Sequence, residues 1–179
     1  MKASVFLLLF VHSCIAPLFA VSEESIKAAY LERFAMFIEW PKPIKSYNIC
    51  IFNDPVFSKT LQKSYDSNLF NNRPATVIPL FTGSSAEEMS ECHILFFRTA
   101  KPAQNEAQLN LLRKNNVLLI SDEASDVKKG AAIGFYLENN AFRFLLSQRN
   151  LETANLKASY KLLNFATLID PTEGKNAAK

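Results

Sequence analysis

Four short apolar runs, separated by segments with helical periodicity, restrict the fold of this chain more than any other feature of its sequence. The predicted strands are 47–52, 75–81, 93–97 and 117–120. The predicted helices between them are 55–65, 84–90 and 104–114. Strands that alternate with helices pair in parallel, because each helix carries the chain back across the sheet before the next strand begins. The sequence therefore predicts an α/β fold with a mostly parallel sheet and helices on both faces.

A further helix precedes the first strand. Ser22 suits its N-cap, and apolar residues then recur at steps of three and four, which gives the helix an apolar stripe. The stripe consists of Ile26, Ala29, Tyr30, Phe34, Phe37 and Ile38. We expect the helix to end at Trp40-Pro41, because proline disfavours helical geometry in the residue before it.

The pattern changes after the fourth strand. Two apolar runs, at 133–137 and 142–146, flank Asn139-Asn140, a dipeptide that suits a tight hairpin turn. We therefore expect the sheet to end in an antiparallel pair. A last helical region is predicted over about 151–168.

The first 20 residues have the layout of a secretory signal peptide. Met1-Lys2 is a short charged start, an apolar stretch follows, and Ala20 closes that stretch with a small residue. Two alternatives stay open, a membrane anchor and lipidation of Cys14. The stretch is short for a bilayer span of about 20 apolar residues, and the sequence before Cys14 matches a lipoprotein signal only in part.

We expect residues 1–20 to be removed on export, residues 21–169 to form one domain, and residues 170–179 to be a disordered tail. Removal of the leader leaves two cysteines, Cys50 and Cys92. An even count in an oxidising compartment favours a disulfide between them. Two buried free thiols are the alternative.

The residues that usually carry catalysis are sparse. Outside the leader, His93 is the only histidine, and it follows Cys92 on a predicted strand. Neighbours on a strand point to opposite faces, so the two do not readily share a metal ion. The four glycines do not have the spacing of a nucleotide-binding loop, so the fold is Rossmann-like without its nucleotide motif. The chain carries no GxSxG or CxxC motif. We therefore expect neither catalytic activity nor a bound cofactor or metal. The net charge of +3 is too small to indicate nucleic-acid binding.

Three polar residues follow predicted strands at the edge where doubly wound folds place ligands. Asn53 follows the first strand, and Ser121 and Asp122 follow the fourth. They form a candidate cleft for a small molecule. The alternative is that they are caps and turn residues, for which these residue types are common.

A candidate surface for a protein partner consists of Trp40, Phe142 and Arg143, since aromatic residues and arginine dominate interface binding energy. For Trp40 the alternative is that it closes the end of the first helix. For Arg143 the alternative is a solvated outer face of the hairpin, with the neighbouring phenylalanines turned inward.

The chain contains the segments Lys27-Ala28-Ala29-Tyr30-Leu31, Phe34, Phe37-Ile38, Glu39-Trp40-Pro41, Ile49-Cys50-Ile51-Phe52, Cys92 to Phe96, Val117 to Asp122, Gly130 with Ile133 and Phe135, Phe142-Arg143-Phe144, and Leu162-Leu163 with Ala166. Together these segments resemble the YfiR family. The resemblance covers about residues 26–168, and the opening helix that ends in Trp-Pro is its most specific part. The chain departs from the family pattern at Ala131 and Ser147, where glycine and asparagine are usual, and it lacks a second cysteine pair near the hairpin.

The resemblance implies a periplasmic α/β domain that is often a homodimer, with Cys50–Cys92 as a stabilising disulfide. It also implies a role, since the best-known relatives bind the periplasmic sensor domain of an inner-membrane diguanylate cyclase and hold it inactive. A small-molecule-binding module that serves another membrane sensor is the alternative.

Overall fold

The computed structural model describes residues 22–98 and 101–169. Its strands, numbered in chain order, are β1 (Ile38–Glu39), β2 (Tyr47–Phe52), β3 (Ala75–Leu80), β4 (Ile94–Phe97), β5 (Leu118–Ser121), β6 (Ile133–Glu138), β7 (Ala141–Leu146), β8 (Lys157–Ala158) and β9 (Thr167–Leu168). Its α-helices are α1 (Glu23–Phe37), α2 (Pro55–Tyr65), α3 (Ala86–Ser90), α4 (Glu106–Lys114), α5 (Gln148–Thr153) and α6 (Tyr160–Leu163), and a 3₁₀ helix covers Ala124–Lys129. The predicted leader at 1–20, with Cys14, and the predicted tail at 170–179 lie outside the described residues.

Seven of these strands form one sheet, in the spatial order β3-β2-β4-β5-β6-β7-β9. β2 pairs in parallel with both β3 and β4, and parallel pairing continues through β5 to β6. β6 and β7 then pair antiparallel. The predicted α/β fold with a mostly parallel sheet is confirmed. The chain leaves β2 towards β3 and returns on the other side as β4, so the direction of the connections reverses between β2 and β4.

Helices on the two faces of the sheet close two apolar layers. Against one face pack α1, α2 and α5, with Phe34, Phe57 and Leu151 among the buried residues. Against the other face pack α3 and α4, which bury Met89 and Leu112. The central strands β2, β4 and β5 lie between the layers and are apolar along nearly their whole length, because successive side chains of a strand enter opposite layers.

α1 begins as predicted and ends earlier than predicted. The Ser22 side chain accepts a hydrogen bond from the backbone N–H of the first turn, and the helix then runs to Phe37. The predicted end at Trp40-Pro41 is wrong, because Ile38–Glu39 forms β1 and pairs antiparallel with β8. A small second sheet therefore replaces the last helical turn.

The region predicted as helical over about 151–168 contains the end of α5, the whole of α6 and the two short strands β8 and β9. α5 ends before Asn155, whose φ of 53° lies in the left-handed region and breaks the helix. Ser159 then caps α6 by accepting a hydrogen bond from the Leu162 backbone N–H. β9 follows and pairs in parallel with β7 at Leu145 and Leu146, so it covers the end of the hairpin strand but not the rest of it.

The predicted hairpin between β6 and β7 is confirmed. Asn139 and Asn140 have φ values of 51° and 59°, both positive, as the favoured two-residue turn requires. Gly134 allows β6 to approach the 3₁₀ helix closely, because a Cβ atom there would lie 2.8 Å from the Glu123 carbonyl oxygen. The hairpin is thus fixed both at its turn and along its first strand.

Cys50 in β2 and Cys92, just before β4, form the predicted disulfide, with their Cα atoms 5.8 Å apart. The two residues are 0% and 3% exposed, and they lie in the layer that α3 and α4 cover. The bond joins the two strands between which the chain connections reverse.

Because both sulfur atoms are buried, we expect dithiothreitol alone to leave the native disulfide intact, since exchange requires a thiolate to reach a sulfur. Reduction during unfolding should lower the melting temperature. A closed loop of 42 residues is worth about 4 kcal/mol by chain entropy, which corresponds to roughly 10 °C in a domain of this size.

Thiol titration and thermal denaturation check this prediction. The double variant Cys50→Ala/Cys92→Ala is the control and should melt like the protein reduced while unfolded. Free thiols that appear rapidly in the folded protein would contradict the prediction.

Candidate functional site

The crevice between the carboxyl ends of β2 and β4 is where open α/β sheets usually bind ligands, because the chain connections diverge there. In this protein charged side chains occupy it. Asp54 follows β2, Arg98 follows β4 and Asp122 follows β5. Arg98 Nε lies 3.0 Å from Asp54 Oδ2 and 3.2 Å from Asp122 Oδ2. Neither contact is aligned as a hydrogen bond, so both are ion pairs that hold the ends of three strands together.

Lys27 extends this chain of charges from α1 into the protein. Its ammonium group pairs with Asp122 and Glu23, and its side chain is only 1% exposed. Nζ also lies 5.2 Å from the centroid of the Phe142 ring, within the range of a cation–π interaction. The hydrogen bond from Lys27 lowers the pKa of Glu23. Burial opposes this shift, and the positive charges of Lys27 and Arg98 add to it.

The three residues of the predicted ligand cleft lie at this edge of the sheet, but their polar groups contact other parts of the protein. Asn53 exchanges two hydrogen bonds with Thr82, at 2.8 and 2.9 Å. Ser121 is fully buried, and its hydroxyl donates to Asp126 and accepts from a backbone N–H. Of the three, only Asp122 lines the neighbouring cavity of about 360 Å³. The cleft stays a prediction, and its ligand would have to displace these contacts.

His93 lies at the opposite end of the sheet, where β4 begins. Its Nδ1 accepts a hydrogen bond from the Asn48 backbone N–H at 3.0 Å, and its ring packs edge-on against Tyr47. This acceptor role requires a neutral ring, and burial lowers the pKa of His93. Within the described residues, no group of three or more His, Cys, Asp or Glu side chains is arranged to hold a metal ion.

An apolar groove of about 490 Å³ runs between α1, β7 and α6, and we call it the α1–α6 groove. Its apolar lining includes Ile26, Tyr30, Phe37, Phe144, Leu162 and Phe165. Three basic residues, Arg33, Arg143 and Lys161, also line it, and no acidic residue of the described chain does. The groove therefore combines an apolar floor with a positive rim.

The groove exists because α1 is apolar on two sides. Ala28, Leu31 and Phe34 are buried in the core. Most of the predicted apolar stripe faces the groove instead, so that Ile26 and Tyr30 stay partly exposed. A surface helix normally buries one stripe. A second apolar stripe that is left open is typical of a surface that binds a partner.

Of the three residues predicted for the partner surface, Arg143 is the one that lines the α1–α6 groove. Its side chain is 56% exposed, and its Nε lies 3.6 Å from Glu138. Phe142 is half-buried beside Lys27 and lines the separate cavity at Asp122. The two neighbours in sequence thus face different cavities.

Trp40 lies beyond the carboxyl end of α1, away from both cavities. Its indole N–H donates to the Asn116 carbonyl at 3.1 Å, and its ring packs edge-on against Tyr47. Trp40 is thus partly buried against the core, and its place on a partner surface stays a prediction. The structure does not bring Trp40, Phe142 and Arg143 together on one surface.

The sequence analysis did not assign Lys27, Arg98 or Phe165 to a candidate site. A lysine between apolar residues on both sides of a helix was a sign that Lys27 is buried and paired. A charge directly after an apolar strand was a similar sign for Arg98. Phe165 gave no comparable sign, because its position depends on where the last predicted helix breaks.

We expect Lys27→Ala to lower the free energy of unfolding by about 3 kcal/mol, because it removes the buried cation that pairs with Asp122, whose side chain is only 13% exposed. Combining Lys27→Met with Asp122→Asn should cost less than the two single changes together. Urea denaturation measures both effects. The control is Lys129→Ala. The Lys129 side chain is half exposed, so its ion pair with Asp126 should contribute less than about 1 kcal/mol. Equal losses in Lys27→Ala and the control would contradict this prediction.

The lowered pKa of His93 predicts that acid destabilises the protein. The folded state favours the neutral ring more than the unfolded state does, so the stabilisation is complete above the unfolded pKa of about 6.5 and is lost as the pH falls through the lower folded value. Urea denaturation between about pH 7 and pH 5 measures the loss. In His93→Gln, which does not titrate, this part of the pH dependence should disappear. An unchanged slope in that variant would contradict the assignment.

No α-helix within residues 22–98 and 101–169 is long and apolar enough to cross a membrane. The search of curated proteins gave no match. The sequence profile of the YfiR/HmsC-like family matches residues 24–167, which is nearly the whole described domain, and the predicted resemblance over 26–168 is thereby confirmed. The chain belongs to the YfiR/HmsC-like family.

Proposed function

We propose that this protein is a non-catalytic periplasmic regulator that binds the sensor domain of an inner-membrane diguanylate cyclase and holds the cyclase inactive. Family membership supports a regulatory role, since the best-known relatives act in this way. The observation that carries the proposal is the α1–α6 groove, an apolar surface with a basic rim that the described chain leaves open. Such a surface suits contact with another protein.

The compartment is part of the same proposal. The Cys50–Cys92 disulfide joins two core strands, and structural disulfides form and persist in oxidising compartments such as the periplasm. The predicted signal peptide at 1–20 would deliver the chain there. In the periplasm the protein can meet the outer domain of a membrane protein whose catalytic domain lies in the cytoplasm.

Repression by binding requires different affinities for two states of the partner. The protein must bind the inactive sensor domain more tightly than the active one. Coupling free energies of about 1–3 kcal/mol are typical and change an equilibrium by roughly 5- to 150-fold. Apolar contact in the groove would supply affinity, and the basic rim would favour partners that present negative charge.

A second candidate function is a small-molecule-binding module that serves another membrane sensor. The cavity of about 360 Å³ beside Asp122 favours it, because Lys27 and Asp122 place charges there beside the ring of Phe142. In that case a metabolite should raise the melting temperature. A ligand and a partner protein could also act together, since a bound ligand can change the affinity for the partner.

The test of the proposal is intracellular cyclic di-GMP in a strain that lacks the protein, beside the same strain complemented with the wild-type gene. We expect cyclic di-GMP to rise in the deletion strain and to return on complementation. An unchanged level, with the cyclase shown to be expressed, would overturn cyclase repression and favour the small-molecule module.

A further inference from the structure

We infer that the α1–α6 groove binds an extended, acidic and apolar segment of the partner protein, which lies along the open edge of β7. The inference rests on the proposed function and identifies the surface and the partner chemistry that it uses. It depends on three features of the described residues: the pairing of β7, the apolar floor of the groove and the charge of its rim.

The outer edge of β7 is only partly paired. β9 pairs with Leu145 and Leu146, so within the described part of the chain residues 141–144 have a strand, β6, on one side only. The Tyr30 hydroxyl donates to the Phe142 carbonyl at 3.0 Å, so a side chain satisfies an acceptor that a neighbouring strand would otherwise use. An extended peptide can exchange with such a contact and add to the sheet.

The other edge of the sheet is protected. In β3, the Leu80 carbonyl accepts from Asn53 of the neighbouring chain segment, which places the odd-numbered residues of the strand on the outer side. Pro79 therefore stands where an outward N–H would be, and Gln62 donates to the outward Val77 carbonyl at 3.3 Å. Proline and covering side chains are the usual protection of an edge strand. β7 lacks a proline, and its open part faces an apolar groove.

The floor and the rim of the groove decide which segment fits. Tyr30, Phe37 and Phe144 offer apolar contacts inside the groove, and Phe165 at its border is 75% exposed. The basic side chains that line the groove call for carboxylates on the occupant. An extended segment meets both requirements when apolar and acidic residues alternate along it. Successive side chains of such a segment point to opposite sides, so the apolar ones can enter the groove while the acidic ones stay at its rim.

Two other occupants fit less well. A second copy of this chain placed on a twofold axis at the groove would bring Arg33, Arg143 and Lys161 against the same basic residues of its partner, because a twofold interface uses the same patch on both subunits. A small aromatic anion could enter the groove, but it could not use the strand edge at 141–144 together with the exposed ring of Phe165.

The experiment uses the full chain, exported in its own cell, with the deletion strain as the reference. Phe165→Asp and Lys161→Glu change the groove at exposed positions. Phe81→Asp and Lys59→Glu are matched controls at exposed positions near the opposite edge of the sheet. Periplasmic protein level and melting temperature are measured for each variant, so that a loss of folding is recognised.

We expect both groove variants to lose affinity by about tenfold or more, the usual effect of removing an interface anchor, and cyclic di-GMP to rise towards the deletion level. Both controls should repress like the wild type. Normal repression by Phe165→Asp at wild-type protein level would overturn the inference while leaving the proposed function standing. If deletion itself does not change cyclic di-GMP, the proposed function fails, and crosslinking then tests the groove.

For crosslinking, a photoreactive phenylalanine analogue replaces Phe165, or Phe81 as the control. Mass spectrometry of the product from position 165 should show an acidic, apolar segment of a membrane protein, and changing its acidic residues to lysine should restore binding to Lys161→Glu. A crosslink to a second copy of this chain, or none at position 165, would overturn the inference. Thermal denaturation with phenylacetate is a further test. An increase in melting temperature that Phe165→Asp abolishes would also overturn the inference, because it would assign the groove to a small anion.

Discussion

The ammonium group of Lys27 lies inside the domain, where a charge is stable only when opposite charges surround it. Glu23 of the same helix and Asp122 at the end of β5 provide them, and the ring of Phe142 in the hairpin faces the ammonium group. These contacts fix the start of α1 against the sheet and the hairpin. With α1 held there, Tyr30 reaches the Phe142 carbonyl, and the second apolar side of the helix stays open towards α6. The groove therefore depends on a buried ion pair at the start of α1.

The same charges occupy the position where this fold most commonly binds ligands. Asp54, Arg98 and Asp122 fill the crevice between the strands where the connections reverse. Towards the opposite end of the sheet, the Cys50–Cys92 disulfide joins the two strands that border the crevice. A domain made rigid at its centre can present a binding surface at its edge without rearranging its core, because a closely packed interior has low compressibility.

The two edges of the sheet differ in a way that fits a binding protein. β3 is protected by Pro79 and Gln62, whereas β7 is covered by β9 over only two residues. An open strand edge favours unwanted association unless something covers it. On our proposal a segment of the partner covers it, and the basic rim selects acidic segments over others. A single contact would then both repress the cyclase and protect the strand edge.

The sequence by itself determined the α/β fold, the hairpin at Asn139-Asn140 and the disulfide, because local periodicity, turn chemistry and cysteine count act over short distances or on few residues. It did not determine the break at Asn155, where a left-handed residue ends a helix that the apolar spacing would continue. Only the tertiary structure placed Lys27 between two carboxylates and turned one side of α1 towards a groove instead of the core. The physical reason is that an apolar stripe shows that a surface avoids water, whereas the packing of distant elements decides whether the core or a partner covers it.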